Sequence, residues 1–225
     1  DTVSVKNLIY KMELKILTPE RDVASIKIKH PDINRTALQL AGYYEHFETS
    51  RVQIIGFVEY TYAMALPDEV KRERFEEILK NGDTPCYIFC RSLEPSEIFI
   101  EIAKKYNCAV LVTEKATSSF MAEIIRWLNV QLAPCISVHG VLVDVFGEGV
   151  LITGESGIGK SEAALELVKR GHRLVSDDVV TIRKVSDDTL VGSAPDVTKH
   201  LIELRGIGIV DVKALYGVSC VKDTQ

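Results

Sequence analysis

Long apolar runs are missing from this chain of 225 residues. No stretch approaches the length of a membrane-spanning helix, which needs about 18 apolar residues. Basic runs are missing too, as are basic residues interleaved with aromatic ones, and the net charge of −5 argues against a nucleic-acid partner. The N-terminus shows no pattern of a secretory signal. These absences predict a protein that works away from membranes and nucleic acid.

Cysteine is scarce and scattered. There are five cysteines, an odd number, and Cys86 and Cys90 lie in an apolar run without metal-site spacing or a nearby histidine. We expect buried free thiols in a reducing compartment. The remaining composition, 46% hydrophobic and 26% charged, is that of an ordinary globular protein with one large or two small domains.

The most informative stretch runs from residue 154 to residue 161 and matches the phosphate-binding-loop pattern G-x-x-x-x-G-K-S. The residues before it, 149–153, are apolar and β-branched, which predicts a buried strand. The residues after it, 161–170, have the apolar spacing of a helix, and Gly171 is a suitable C-cap. We therefore expect eight residues to bind the phosphates of a nucleotide, namely Gly154, Glu155, Ser156, Gly157, Ile158, Gly159, Lys160 and Ser161.

The chemistry of this loop follows from its geometry. Glycines let backbone N–H groups converge on phosphate oxygens, and the start of the helix adds partial positive charge. Lys160 is expected to reach the outer phosphates, and the Ser161 hydroxyl is expected to ligate Mg²⁺. A purely structural glycine-rich turn is the alternative, and the intact strand and helix on either side favour the phosphate site.

Charged residues elsewhere are candidates for the same site. Asp177 and Asp178 close a predicted strand, and because successive side chains point to opposite faces we expect one of them to face the phosphates. A carboxylate in that position can accept a proton from a phosphoryl acceptor or hold Mg²⁺. The alternative is that the two aspartates only form the polar end of a strand and have no role in the chemistry. His139 lies among apolar residues and suits the core as well as the site. Glu203 and Arg205 are candidates for Mg²⁺ and phosphate, or for an exposed ion pair.

The first half of the chain alternates between helix and strand patterns. Apolar runs at 86–90 and 109–113 are typical of parallel strands buried on both faces, with a helix over 95–106 between them. Further helices are predicted over 36–42, 68–79 and 117–132. Nothing here concentrates chemistry, so we predict an N-terminal α/β domain over 1–132 with a regulatory or scaffolding purpose.

The pattern becomes strand-rich beyond Pro134. We predict one strand over 138–146, a turn over 147–149 and a hairpin that leads into the phosphate loop. The sequence therefore predicts a second domain over 133–225 that holds the phosphate loop.

Four segments together resemble one family, the bifunctional HPr kinase/phosphorylase of bacteria. They read S-V-H-G-V-L-V-D-V-F-G at 137–147, G-V-L-I-T-G-E-S-G-I-G-K-S-E at 149–162, R-G-H-R-L-V-S-D-D at 170–178 and L-I-E-L-R-G-I-G-I-V-D-V at 201–212. A looser match in the first half includes L-A-G-Y-Y at 40–44. The order and spacing of the segments make this resemblance far more specific than a phosphate loop alone.

The resemblance implies a Mg²⁺-dependent enzyme of carbon catabolite regulation. It implies that ATP or pyrophosphate phosphorylates a regulatory serine of HPr, the phosphocarrier of the sugar phosphotransferase system, and that phosphorolysis of phosphoseryl-HPr returns HPr and pyrophosphate. His139, Lys160 and Asp178 are then catalytic, with Asp178 as proton acceptor forward and donor in reverse, while Ser161 and Glu203 bind Mg²⁺. A cytoplasmic homo-hexamer with a kinase fold like that of phosphoenolpyruvate carboxykinase is also implied.

One departure from the family is expected to matter. Its members continue well past residue 225, into a segment with an active-site arginine and a part needed for phosphorolysis, so we expect a C-terminally truncated catalytic domain. Two alternatives stay open for the function. One is a small-molecule kinase with a phosphate loop, and the other is a regulatory switch that only binds nucleotide.

Overall fold

Two compact units, residues 1–132 and 133–225, make up the computed structural model. The structure describes residues 2–223. No helix within these residues is long and apolar enough to cross a membrane. Both units mix helices and strands, so the predicted α/β class is confirmed.

The first unit is built on one five-stranded sheet. Its elements are β1 (Val3–Ser4), α1 (Val5–Met12), β2 (Lys15–Ile16), β3 (Lys27–Ile28), β4 (Ile33–Arg35), β5 (Val52–Ile55), α2 (Phe57–Ala65), α3 (Asp68–Leu79), β6 (Tyr87–Phe89), α4 (Glu97–Lys105), β7 (Val110–Val112) and α5 (Thr117–Leu132). The strand order is β2–β7–β6–β5–β4, and β1 pairs separately with β3. Strands β4 to β7 are parallel, and β2 is an antiparallel edge.

Both faces of this sheet are buried, as the apolar runs predict. Ile88 and Leu111 point into one cluster with residues of α1 and α5. Their neighbours along the strands point into a second cluster with residues of α3 and α4. There the ring of Phe99 meets Tyr87 and Phe89 edge-on, with centroids 5.6 and 5.1 Å away. The alternation of strand side chains between two helical layers explains why the parallel strands carry no polar face.

Residues 36–42, predicted as a helix, form successive turns instead. The Thr36 hydroxyl donates to Gln53 Oε1 at 2.9 Å, and the Thr36 N–H donates to the Ile54 carbonyl at 3.1 Å. These bonds tie Thr36 to β5, so its side chain cannot cap a helix. The prediction was wrong because a local pattern does not include this contact with the sheet.

Helix α2 was not predicted, because its aromatic and β-branched residues have modest helix propensity. Its first turn is stabilised by Glu59, whose Oε2 atom accepts a hydrogen bond from the Gly56 N–H at 3.0 Å. This is half of a capping box, and a glutamate three residues after the N-cap is a signal that the sequence does contain. The other predicted helices are present, with Asp68–Leu79 and Thr117–Leu132 at the predicted bounds.

The second unit is made of short antiparallel sheets around one long helix. Its elements are β8 (Cys135–His139), β9 (Val141–Val145), β10 (Glu148–Ile152), α6 (Lys160–Lys169), β11 (Arg173–Ser176), β12 (Val179–Lys184), β13 (Leu190–Ser193), β14 (Leu201–Leu204), β15 (Gly208–Asp211) and α7 (Val212–Tyr216), with single 3₁₀ turns at Asp196–Thr198 and Val218–Cys220. The sheets have the orders β10–β9–β11, β13–β12–β8 and β14–β15.

The strand predicted over 138–146 is divided at Gly140. Strand β8 pairs with β12, whereas β9 pairs with β10 and β11. The Gly140 N–H donates to the Asp178 carbonyl at 3.0 Å, and a Cβ on Gly140 would lie 2.8 Å from the Ile152 carbonyl oxygen. The close approach at this glycine lets the chain pass from one sheet to the other. The predicted hairpin between β9 and β10 is confirmed.

Candidate functional site

The glycine-rich loop connects β10 directly to α6. The helix begins at Lys160, and its N-cap Gly159 has φ 103°, in the left-handed region that favours glycine. Ala164 and Val168 of α6 are buried in a cluster with Val143 of the central strand β9. This packing holds the start of the helix at the end of the hairpin, with its backbone N–H groups facing the loop.

Two cationic side chains lie on the loop. Lys160 Nζ donates to the carbonyls of Gly154 and Glu155 at 3.0 and 2.9 Å, so the ammonium folds back over the loop. Arg205 follows β14, and its guanidinium lies so close to Gly157 that a Cβ there would overlap it. Lysine, arginine and the helix N-terminus together make a local environment suited to phosphate oxygens.

Asp177 is the buried carboxylate of this region, with a relative exposure of 5%. Its Oδ1 atom accepts a hydrogen bond from Ser161 Oγ at 2.8 Å. Its Oδ2 atom accepts a hydrogen bond from the backbone N–H of Glu203, also at 2.8 Å. Asp177 therefore connects the first turn of α6 to β14.

Asp178 lies at the centre of a tight turn between β11 and β12. The Val179 N–H donates to the Asp177 carbonyl at 2.9 Å, and Asp178 has φ 67°. A three-residue turn with positive φ at its centre is a γ-turn of the rare, strained kind. The Asp178 side chain is 75% exposed, and its Oδ1 atom lies 3.8 Å from Nδ1 of His139. His139 is 86% exposed at its side chain, so it does not belong to the core.

The expectation that strand alternation turns one of the two aspartates away is wrong. Strand β11 ends at Ser176, and its pairing with β9 shifts register between Leu174 and Ser176. Both aspartates therefore lie in the turn rather than in the strand, and both line the same pocket. The family resemblance implies no role for Asp177, although this residue directly precedes Asp178 in the sequence.

This pocket has a volume of about 170 Å³. It brings together Lys160, Ser161, Asp178 and Glu203 with the other two charged candidates from the sequence, Asp177 and Arg205. His139 contributes through its proximity to Asp178. Its lining combines two cationic side chains with four carboxylates, those of Glu162, Asp177, Asp178 and Glu203, and this combination suits a metal-bound phosphate chain.

The residues fit Mg²⁺ bound together with phosphate better than a metal cage made of protein ligands alone. Among residues 2–223, no three histidine, cysteine, aspartate or glutamate side chains form a metal-binding group. Mg²⁺ is usually bound by one or two carboxylates with water and substrate phosphates completing its octahedron. The Ser161 hydroxyl, Asp177 and Glu203 provide such a partial ligand set in one pocket.

A strand, a glycine-rich loop and a helix that face carboxylates across a phosphate-sized pocket define the class of phosphate-loop phosphotransferases. Residues 3–128 match the family model described as "HPr Serine kinase N terminus", and residues 130–225 match "HPr Serine kinase C-terminal domain". The chain therefore belongs to the HPr serine kinase family, and the family resemblance found in the sequence is confirmed.

Two full-length sequence relatives agree with this assignment. The chain is 58% identical to the HPr kinase/phosphorylase of Lachnoclostridium phytofermentans, over 100% of this chain and 72% of that protein. It is 49% identical to the HPr kinase/phosphorylase of Caldicellulosiruptor bescii, over 99% of this chain and 71% of that protein. A solved structure of the Hpr(Ser) kinase/phosphatase from Coxiella burnetii has 42% identity over 40% of this chain and 54% of that one, with a TM-score of 0.38.

Proposed function

We propose that this protein is an HPr serine kinase and phosphorylase. In the forward reaction, it transfers a phosphoryl group from ATP or pyrophosphate to a serine of HPr. In reverse, inorganic phosphate takes the phosphoryl group from phosphoseryl-HPr, giving HPr and pyrophosphate. The observation that carries the proposal is the pocket in which the Lys160 loop faces Asp178, within a chain 58% identical to a relative of that name.

Asp178 is the proposed proton acceptor. As the serine oxygen of HPr bonds to the outer phosphorus of the donor, the bridging P–O bond breaks and the hydroxyl proton passes to Asp178. In phosphorolysis, an oxygen of inorganic phosphate attacks the phosphoserine phosphorus, and Asp178 returns the proton to the departing serine oxygen. Its open position, 75% exposed, leaves room for a protein substrate to approach.

His139 is proposed to assist Asp178. The Nδ1 atom of His139 lies 3.8 Å from the Asp178 carboxylate. At this distance the histidine influences the transfer of the serine proton to Asp178 once substrate is bound. Lys160 is proposed to bind the donor phosphates, exchanging its hydrogen bonds to the carbonyls of Gly154 and Glu155 for bonds to phosphate oxygens. Both roles follow the positions these side chains have in the pocket region.

Ser161 and Glu203 are proposed to hold Mg²⁺, and we add Asp177 to that set. Bound Mg²⁺ neutralises charge on the phosphate chain and so favours transfer. The Ser161 hydroxyl now donates to Asp177, so it would turn to present its oxygen lone pair to the metal. By resemblance to the family, we also propose a homo-hexamer in the cytoplasm, which native mass spectrometry and cell fractionation would test.

Incubation with radiolabelled ATP, Mg²⁺ and purified HPr tests the proposal. We expect label on a serine of HPr, and none on HPr whose regulatory serine is replaced by alanine. Addition of inorganic phosphate to the labelled HPr should release labelled pyrophosphate. Label on a small molecule instead would favour the small-molecule kinase, and nucleotide binding without any transfer would favour the regulatory switch.

A further inference from the structure

A second pocket lies wholly within the first unit, at the carboxyl edge of its parallel sheet. Four consecutive parallel strands contribute to this edge. Arg35 is the last residue of β4, Phe57 follows β5, Arg91 follows β6, and Thr117 begins α5 after β7. The pocket that they line has a volume of about 510 Å³, within the range of small-molecule sites. The carboxyl edge of a parallel sheet is where ligands of α/β domains usually bind.

Two guanidinium groups face this pocket. Arg35 is paired with the buried carboxylate of Glu59 and remains 45% exposed at its side chain. Arg91 also lines the pocket, and within residues 2–223 its guanidinium makes no hydrogen bond or ion pair. Burial raises the pKa of the buried Cys90 thiol, and the charges of Arg35 and Arg91 both oppose that effect. The two arginines therefore both lie near this thiol, and the Glu59 carboxylate is paired with one of the two cations.

The backbone at Arg91 is held in an unusual conformation. Arg91 and Ser92 have φ values of 59° and 54°, in the left-handed region that non-glycine residues seldom adopt. The Arg91 N–H donates to the Lys115 carbonyl, and the Ser92 N–H donates to the Thr113 carbonyl, both at 2.9 Å. Strained residues fixed by their surroundings often belong to binding sites, and here the strain presents an arginine at the sheet edge.

Hydroxyl and amide donors complete the polar end of the pocket. Thr117 approaches so closely that its Oγ1 atom would be 2.9 Å from a Cβ on Gly56, so glycine is needed at the start of α2. The first-turn amides of α2 and α5 have no acceptors within their own helices. The guanidinium, hydroxyl and amide groups together offer more hydrogen-bond donors than the two oxygens of a carboxylate need. A phosphate group, which has more oxygens, is the better match for this number of donors.

The opposite side of the pocket is apolar. Phe57, Val58 and Met121 line it, and Phe57 and Val58 are 55% and 69% exposed. Apolar walls with a few convergent polar groups are the usual arrangement of a site for an organic ligand. An inorganic ion would leave these side chains in water, whereas an organic body attached to the phosphate would cover them.

We propose that this pocket binds a small organic phosphate monoester, with its phosphate between Arg35 and Arg91 and its organic part against Phe57, Val58 and Met121. The site is separate from the phosphate loop and does not depend on the proposed kinase reaction. It gives the first unit a ligand-binding role of its own.

Hydrogen exchange of the full chain tests this inference, with AMP, adenosine and inorganic phosphate as probes. AMP should slow exchange in peptides covering residues 56–60 and 117–121, and it should do so equally in Lys160→Ala, which disables the phosphate loop. Arg91→Gln should weaken AMP binding about tenfold, because a charge-assisted contact is lost. Arg72→Gln, at an exposed arginine of α3 outside the pocket, is the matched control and should bind AMP like the parent.

Several results would overturn the inference. No slowing at AMP concentrations up to about 10 mM would mean that no useful site exists. Equal binding of AMP and adenosine would show that phosphate is not recognised, and equal binding of AMP and inorganic phosphate would show that the apolar wall contributes nothing. Unchanged affinity in Arg91→Gln, in a variant that melts like the parent, would remove the arginine from the site.

Arg35→Lys, which keeps a cation opposite Glu59, should also weaken AMP binding, since ammonium lacks the guanidinium fork.

Discussion

Ser161 and Asp177 are joined by a hydrogen bond of 2.8 Å from the serine hydroxyl to the carboxylate, across 16 residues of sequence. The same carboxylate accepts the Glu203 N–H through its other oxygen. One buried side chain thus sets the distance between the phosphate loop and β14. The neighbouring Asp178 makes no such structural connection and is exposed. The two adjacent aspartates therefore have different environments, and we expect different consequences when each is changed.

Asp177→Asn is expected to act on Mg²⁺ and on the order of the loop. Asparagine has one acceptor oxygen where aspartate has two, so the hydrogen bond from either Ser161 or the Glu203 N–H is lost. The substitution also removes one negative charge from the proposed metal site. The Mg²⁺ concentration for half-maximal HPr phosphorylation should rise about tenfold or more, while activity partly recovers at saturating Mg²⁺. Titration of Mg²⁺ at saturating ATP measures this. An unchanged Mg²⁺ requirement would remove Asp177 from the metal site.

Asp178→Asn is expected to act on the chemical step instead. Loss of a general base costs on the order of 10²- to 10⁴-fold in kcat, and Mg²⁺ should not restore it. Because the same group returns the proton in reverse, phosphorolysis should fall by a similar factor. Single-turnover assays in both directions, with Asp177→Asn measured beside it, separate the two roles. Recovery of Asp178→Asn by Mg²⁺ would show that the assignments of base and metal ligand are reversed.

The sequence predicted much of this site, because its chemistry is local to short segments. Strand, glycine loop and helix follow one another in the chain, so periodicity and the motif were enough to predict them. The role of Asp177 could not be predicted in the same way. It depends on a register shift that ends β11 at Ser176 and on a contact with β14, which is distant in sequence. The turn at 36–42 escaped prediction for a similar reason, since Thr36 bonds to Gln53 in another strand.

Gly157→Ala is expected to weaken ATP binding. The new methyl group would overlap the Arg205 guanidinium. The alanine would also have to adopt the backbone angle φ of 83° that Gly157 has. Gly171→Ala is the matched control, because it has a similar φ of 94° with open space around its Cβ position. Both variants should lose about 1 kcal/mol of stability or more from the left-handed backbone, but only Gly157→Ala should bind ATP more weakly. Equal ATP affinity by calorimetry would show that the Arg205 position is not important for nucleotide binding.

Lys160→Ala is expected to abolish phosphoryl transfer without unfolding the protein. Within residues 2–223 the ammonium donates hydrogen bonds only to two loop carbonyls, so its loss leaves the cluster around Ala164 and Val168 intact. Lys169→Ala, at the far end of the same helix, is the control and should keep full activity. Transfer to HPr is measured together with far-UV circular dichroism. Near-normal turnover in folded Lys160→Ala would contradict the assignment of this lysine to the phosphates.

Asp144→Asn is expected to change how the second unit responds to acid. The Asp144 carboxylate is 3% exposed and accepts hydrogen bonds from Lys222 at 2.6 Å and Arg173 at 2.8 Å. The hydrogen bond from Lys222 holds the pKa of Asp144 below its ordinary value, with help from the Gly147 N–H and the charge of Arg173. A depressed pKa means that the stabilisation is fully present above the unfolded pKa of about 3.9 and is lost as the pH falls through the lower, folded value.

The Asp144→Asn variant should therefore be about 1–3 kcal/mol less stable than the parent near neutral pH, with the difference shrinking toward about pH 3. Hydrogen exchange of residues 141–145 is the appropriate measurement, because the single tryptophan, Trp127, lies in the first unit. Glu148→Gln removes a charge from an exposed position on the neighbouring β10 and should change stability by less than about 0.5 kcal/mol. A constant difference between parent and Asp144→Asn across the acid range would mean that packing, rather than the charge of Asp144, stabilises this end of the sheet.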